Sequence, residues 1–535
     1  MNARPGPAGS EPGGPRRPRS PGPLPPTPTA SGGARIQLEF ASETPVPALA
    51  IRTALGVPER ERAASTAVEH LWVDTFDRRL RRAGLALQLT WGRNPAECRA
   101  EIEGAAGAPL WTVPCLLPRP PRDQPGWRLE QLLGAGPAAQ RLGPLLAGRA
   151  FVPIAHLSTV RHTLALSDSR GRVVGQARWE QRSTSRGAVP RTLLWLTLAQ
   201  GGPRTAARLR RRLDRVEGLE PGSGGWLAWL DPAPHPGPAP MTPEEPAAVA
   251  VRRIVEDLRR TATANVPGVL ADLDPEFLHD LRVAVRRARS ALKLLGDCLG
   301  GSGGARLALD LKWMGDLTTP TRDLDVFLQA LATRPDPMAA PLVRHLSTRR
   351  AGAWSELSSQ LVGPRWRTAS RRWRAVGGGR GDGEPGRLPV AVVALERVGR
   401  TYRRAARLSR GLGPESPAEP FHRLRKRCKE LRYLLEFFAP VLAGEEYREL
   451  LTVLRSLQDC LGEFQDTQVQ EAALLEFAPE AAASGPEAVV ALGRLDLELR
   501  ERRRQAREAV TARLQAFTSR RLRRWASSAA GGTGR

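Results

Sequence analysis

The sequence predicts a two-domain protein. An N-terminal α+β domain is built on a mainly antiparallel sheet, and a C-terminal all-α domain states one helical pattern twice. Three observations predict this. Short apolar runs broken by Gly, Pro and Asn fill residues 34–231, helical periodicity fills the chain after a proline-rich segment, and the second half states one pattern twice, 143 residues apart. At 535 residues the chain is long enough for two or three domains, each with its own core.

Taken in order, residues 1–33 are Pro/Gly-rich, cannot bury apolar surface and are expected to be disordered. The runs RIQLEF, GLALQLTW, PLWTVPCLL, RHTLALSD, GRVVGQARWE and RTLLWLTLAQ then read as strands, with helices expected over 46–56 and 205–216. Proline holds 232–245 extended as a linker. The helical domain is expected over 246–526, with repeat 1 over about 246–375 and repeat 2 over about 389–526, separated by VGGGRGDGEPGRLP. Residues 527–535 read as a disordered tail.

The net charge is +26 and the isoelectric point about 11.3, which predicts a polyanionic partner. Only four of the 81 Lys and Arg residues are lysine, and Ala, Gly and Pro are abundant, so coding bias contributes to the sum and placement matters more. All four lysines (Lys293, Lys312, Lys426, Lys429) fall in the repeated half. Five scattered cysteines without a CxxC pair read as thiols in a reducing compartment. With no apolar run of 18 residues, a soluble, cytoplasmic protein without membrane contact is expected.

The repeat begins at His279-Asp-Leu-Arg282-Val-Ala-Val-Arg286-Arg287-Ala-Arg289, which recurs as His422-Arg-Leu-Arg425-Lys-Arg-Cys-Lys429-Glu-Leu-Arg432. Between 279–327 and 422–470, 12 of 49 positions are identical. On a helix of 100° per residue, Arg282, Arg286, Arg289 and Lys293 fall about 280–340° from His279, in one narrow arc. His422, Arg425, Lys429 and Arg432 repeat the arc, with Glu436 in place of the last lysine. Cations about 5 Å apart along an axis suit a ligand with regularly spaced negative charge, and guanidinium groups take phosphate oxygens two at a time. A lone basic helix is ordinarily a solvated face, but two copies at one offset point to a shared basic groove. Arg260 and Arg403, related by the same offset, stand on the preceding helices and add to it. The histidines lack a ligand partner at i+4 and read as phosphate donors, cationic below about pH 6.5. Asp323 and Asp466 read as carboxylates that orient guanidinium groups or cap a helix.

These motifs, HDLRVAVRRARS and FHRLRKRCKELRYLLEFF followed by LKWMGDLTTPTRDLDVF and LRSLQDCLGEFQDTQV, resemble the CHAD family, the conserved-histidine α-helical domain. The resemblance implies two antiparallel bundles with basic helices lining a central cleft, inorganic polyphosphate as ligand, and association with polyphosphate granules. The two bundles are implied to be pseudo-symmetric. CHAD domains often follow a CYTH domain, the triphosphate-tunnel fold, and residues 34–231 look like a worn version of it, which implies an antiparallel, barrel-like sheet. Leu71-Trp-Val-Asp74-Thr75 and Leu157-Ser-Thr-Val-Arg161 are similar to two of its strands. The family's opening Glu-x-Glu-x-Lys is not reproduced by Arg35-Ile-Gln37-Leu-Glu39-Phe40, which by this alignment has lost both acids. Gln88 and Thr90 stand where arginines are expected, Leu193–Leu198 lacks paired glutamates, and Arg178-Trp179-Glu180 stands near the expected acidic pair. Without a carboxylate cluster a divalent metal has no dedicated site, so no cofactor and no triphosphatase activity are expected.

The expected function is therefore non-enzymatic binding of inorganic polyphosphate through the C-terminal helices. Nucleic acid is the secondary partner reading, and residual triphosphatase activity of the N-terminal domain the other alternative. Arg282→Ala and Arg425→Ala are expected to weaken binding with folding intact.

Overall fold

Proline and glycine punctuation sets where elements begin. The computed structural model describes residues 36–531 except 43, 59–62, 93–97, 105–108, 118–123, 169–170, 183–190, 199–201, 223–240, 301–302, 334–336, 380–382 and 443. The tail expected over 1–33 and the linker over 232–240 lie outside the described residues, as do 532–535. The chain divides into two units between residues 233 and 234. Among the described residues no helix is long and apolar enough to cross a membrane, and all five cysteines are free thiols.

The first unit is one antiparallel sheet of β1 (Ile36–Ser42), β2 (Ala64–Thr75), β3 (Leu85–Trp91), β4 (Arg99–Gly104), β5 (Pro109–Pro114), β6 (Phe151–Ser167), β7 (Val173–Arg182), β8 (Arg191–Leu198) and β9 (Glu220–Pro221). The strand order is β5-β4-β3-β2-β6-β7-β8-β1-β9, so the sheet is open, with β5 and β9 at its edges. Helices α1 (Ala48–Leu55), α2 (Arg79–Arg82), α3 (Leu129–Leu133), α4 (Pro137–Leu146) and α5 (Gly202–Leu213) cover it. Two cores result. Leu87, Leu89, Ile102 and Trp127 pack with Leu132 and Leu142 of α3 and α4, while Phe40, Trp179, Leu194 and Leu196 pack with Ile51 of α1 and Leu209 and Leu213 of α5.

The Asp74-Thr75 motif has a local structural cause. Asp74 accepts hydrogen bonds from the backbone amides of Thr75 (2.7 Å), Leu80 (2.9 Å) and Arg81 (3.1 Å), and Thr75 Oγ1 accepts from the Arg79 amide (2.9 Å). The carboxylate thereby satisfies the open amides at the start of α2 and fixes the turn into β3.

The second unit is all helical: α6 (Ala247–Leu270), α7 (Pro275–Leu295), α8 (Gly303–Ala332), α9 (Ala340–Leu361), α10 (Pro364–Gly377), α11 (Val390–Leu408), α12 (Ala418–Phe437), α13 (Glu445–Ser484), α14 (Pro486–Phe517) and α15 (Arg520–Gly531). The starts of α6 and α11, and of α7 and α12, differ by the 143 residues of the sequence repeat. The symmetry is also drawn in backbone hydrogen bonds. Pro246 and Pro389, each one residue ahead of its repeat's first helix, pair with each other: Ala247 N donates to Leu388 O (2.9 Å) and Val390 N to Glu245 O (2.8 Å).

Each repeat packs its second helix on its first and third, and folds its last helix back on its first. Trp373 of α10 anchors one such contact through Val255 O (3.0 Å), and Tyr402 of α11 donates to Phe517 O (2.8 Å) near the other. The α6–α7 hairpin is tight enough that a Cβ on Gly268 would stand 2.3 Å from the Phe277 ring. The tail expected from 527 is shorter than the sequence suggests, because Ser527 to Gly531 continue α15; Ser and Ala in that run add no helix breaker.

Candidate functional site

Helices α7 and α12 bury Leu281, Val285, Ala288 and Leu292 on one and Leu424, Cys428, Leu431 and Leu435 on the other. Their polar edges meet across the repeat axis in two ion pairs, Lys293 with Glu430 (2.7 Å) and Arg287 with Glu436 (3.0 Å). The 143-residue offset converts one pair into the other with the charges exchanged, so the contact is symmetric while its polarity is not. Arg287 also lies over the rings of Tyr433 (5.6 Å) and Phe437 (5.1 Å), which closes that side.

The other side is open. A cleft of about 900 Å³ is lined by Arg286, Arg289 and Lys293 of α7, by Lys312 and the first turns of α8, and by Arg423, Lys426, Arg427, Lys429 and Glu430 of α12. Eight cations thus face one carboxylate. All four lysines of the chain are among them. Lys312 pairs with Asp316 on its own helix (2.7 Å) and Lys293 with Glu430; both lysines are more than half exposed, so these pairs are weak and exchangeable.

Lys429 is the most perturbed of the set. Burial, and then the charges of Arg286 and Arg425, push its ammonium down to about 7. The field in the cleft is therefore unbalanced at neutral pH, and an anion placed there would restore the charged form.

Of the residues expected from sequence, Arg286, Arg289, Lys293 and Lys429 line this cleft. The others serve elsewhere. Arg282 donates to Gly315 O (3.2 Å), Thr318 Oγ1 (3.0 Å) and Thr319 Oγ1 (2.9 Å), which ties α7 to α8. Arg425 stands 3.5 Å from Asp466, and His422 Nδ1 lies 2.6 Å from Gln465 Oε1, which tie α12 to α13. Arg432 is held by Gln458 (3.0 Å) and Glu436 (3.1 Å). Arg260 is paired with Glu256 (3.1 Å), and Arg403 donates to Ala526 O (3.4 Å). Burial, followed by the charge of Arg322, lowers the His279 imidazole below its ordinary 6.5, so it charges only at more acidic pH than the sequence suggested. Asp323 has Arg282 and Arg322 as neighbouring charges, in keeping with a guanidinium-orienting role, while burial raises its carboxyl. Lys312, Arg423, Lys426 and Arg427 were not expected at the site; the signal that marks two of them is the scarcity of lysine.

In the first unit, Glu180 is fully buried on β7, neutralised by Arg161 Nε at 2.5 Å, with His70 Nε2 at 3.3 Å. Gln88 donates weakly to Glu101 (3.4 Å), and Gln88 and Thr90 lie in β3, all seven residues of which are buried. Among the described residues no group of three or more His, Cys, Asp or Glu could hold a metal ion.

Residues 253–475 match the family described as CHAD domain. An uncharacterized protein of Mycobacterium tuberculosis is 26% identical over 322 residues, covering 57% of this chain. The chain spans 61% of the length of that relative. Among solved structures, the CHAD domain of the plant Ricinus communis is similar at 23% identity and a TM-score of 0.45, covering 52% of this chain and 95% of that one. The Hippeastrum protein HpAC1, described as having a dominant triphosphatase activity, is similar at 14% identity and a TM-score of 0.27, covering 37% of this chain and 95% of that one.

Proposed function

We propose, from the premise that residues 253–475 of this chain are a CHAD domain, that the α7–α8–α12 cleft is a receptor for inorganic polyphosphate. One observation carries the reading. In a chain with four lysines among 81 basic residues, all four line a single cleft that holds eight cations and one carboxylate. Coding bias contributes to the abundance of arginine; it does not place the lysines. Compact ammonium groups on flexible stems follow a phosphate chain without the fixed fork that a guanidinium demands.

The ligand is read as phosphate without bases. Proteins that hold single-stranded nucleic acid stack bases on aromatic rings. The one aromatic lining this cleft, Tyr433, is only 4% exposed and stands beneath the Arg287 guanidinium. Binding at polyphosphate granules follows from the same chemistry.

The first unit is read as carrying no metal-dependent triphosphatase activity, because its buried glutamate is already compensated by Arg161. Sustained release of phosphate from tripolyphosphate with Mg²⁺ or Mn²⁺ would overturn that part.

The test is a variant carrying Lys293→Gln, Lys312→Gln, Lys426→Gln and Lys429→Gln, titrated with long-chain polyphosphate at about physiological salt against duplex DNA competitor. A large drop in polyphosphate affinity with an unchanged circular dichroism spectrum is the expected result. Binding equal to wild type, or equal displacement by DNA per phosphate, would refute the reading.

A further inference from the structure

The first unit holds a second cationic ladder that the cleft does not use. Helix α5 anchors itself through Ala206, Leu209 and Leu213, which are buried in the sheet core. Its opposite side carries Arg204, Arg208 and Arg211, and Arg215 follows in the next turn; all four are exposed. At 100° per residue these positions fall within about 60° of one another, and at 1.5 Å per residue the stripe runs about 16 Å. Arg210 and Arg212 flank it and are also exposed.

What separates this helix from the arginine-rich α14 is the absence of compensation. On α14, Arg500 pairs with Asp496 (2.9 Å), Arg502 with Glu463 (2.6 Å), Arg503 with Glu471, and Arg504 with Glu501 (2.7 Å) and Glu508 (2.6 Å). Residues 202–213 contain no acid. Asp214, Glu217 and Glu220 follow the helix, yet among the described residues no carboxylate lies within ion-pair distance of the six arginines. Like charges four residues apart on a helix repel, so this face is maintained against its own electrostatics.

We infer that the outer face of α5 is a second binding site for inorganic polyphosphate, independent of the helical unit. The inference rests on the polyphosphate reading of the chain for its choice of ligand. The chemistry of the face supports that choice. It presents guanidinium groups at intervals of about one helical turn, with no aromatic residue on which a base could stack. Its apolar side is committed to the core, so it has nothing to insert into a bilayer. A long polymer that engages both sites would gain avidity that a short one cannot.

The experiment compares four full-length proteins: wild type, an α5 variant (Arg204→Gln, Arg208→Gln, Arg211→Gln, Arg215→Gln), the four-lysine cleft variant, and their combination. Gln has nearly the helix propensity of Arg and the positions are exposed, so folding should be unaffected. Binding of long-chain polyphosphate, tripolyphosphate and duplex DNA is measured across salt concentrations. For long chains the α5 variant should show a slope of log affinity against log salt shallower by about three, with tripolyphosphate binding unchanged. The cleft variant should retain residual long-chain binding that the combination lacks. A combination identical to the cleft variant overturns the second site and leaves the cleft reading intact. A cleft variant that binds like wild type, beside an α5 variant that does not, removes the cleft reading and keeps this one. An effect of α5 on DNA but not on polyphosphate overturns the assignment of ligand.

Discussion

Lys429 offers a prediction that can be worked through in numbers. Its ammonium is pushed from an ordinary 10.5 to about 7 by burial and by Arg286 and Arg425, so about half the free protein carries a neutral lysine at pH 7. A polyphosphate chain in the cleft would oppose those causes. If it restored the ordinary value, binding at pH 8 would take up about 0.9 proton, and the association constant would fall at most about fiftyfold between pH 7 and 9. The phosphate ends titrate too, so the informative quantity is the ratio of wild type to Lys429→Met at each pH. Wild type should bind more tightly than the Met variant near pH 6, and that advantage should shrink by up to about fiftyfold between pH 7 and 9. Isothermal titration in two buffers of different ionisation enthalpy counts the proton directly. The sign for stability runs the other way. A lowered lysine pKa means that the unfolded chain binds the extra proton between pH 7 and 10.5, so stability of the free protein should rise with pH across that window. The Met variant should accordingly be stabilised over wild type most at or below pH 7, and less as pH rises. A wild-type-to-Met affinity ratio that stays constant from pH 6 to 9 would refute the coupling.

Three further outcomes follow from the contacts. Glu430 is the one carboxylate lining the cleft and neutralises Lys293 and Arg427; Glu430→Gln should tighten polyphosphate binding by about tenfold, read by titration. Arg282→Ala should lower stability by about 2–3 kcal/mol in urea denaturation, because it removes the three hydrogen bonds by which the guanidinium ties α7 to α8. In the first unit, Glu180→Gln leaves Arg161 and His70 facing an uncharged amide in a buried site, and should cost about 3 kcal/mol without changing polyphosphate affinity of the helical unit.

Much of the architecture was legible because it is periodic. The 143-residue offset read from the sequence recurs in the helix starts at 247 and 390 and at 275 and 418, and Gly, Pro and alternation separated sheet from helix. Placement of the site was less legible, and the reason is physical. Identity between the repeats at His279 and His422, or Arg282 and Arg425, reports a demand that both halves share. In the structure that demand includes tethering the second helix of each repeat to its third. The cleft lies to one side of the axis, lined by the start of α8 but by no residue of α13. It therefore draws on positions where the repeats differ: Lys426 answers Val283, Arg423 answers Asp280, and Lys293 answers Glu436. The open sheet of the first unit was likewise hidden, since strand patterns do not say whether the edge strands β5 and β9 close on each other.

The exchanged polarity of the two cross-repeat pairs shows how a symmetric scaffold can carry a one-sided site. Lys293–Glu430 and Glu436–Arg287 make the same contact, so the fold is indifferent to which helix supplies the acid. Their surroundings are not equivalent. Arg287 is spread over Tyr433 and Phe437 and only 28% exposed, which fills its side with packed side chains. Lys293, at 59% exposure, reaches its partner from the rim and leaves the space beneath open. An arginine at 293 could chelate Glu430 with its planar fork, and would tend to close the second side as well. Lysine cannot fork, so it satisfies the pair and still leaves donors for a ligand. Lys293→Arg is therefore the conservative change that should reduce cleft binding while keeping the charge, and its effect separates shape from net charge as the basis of recognition.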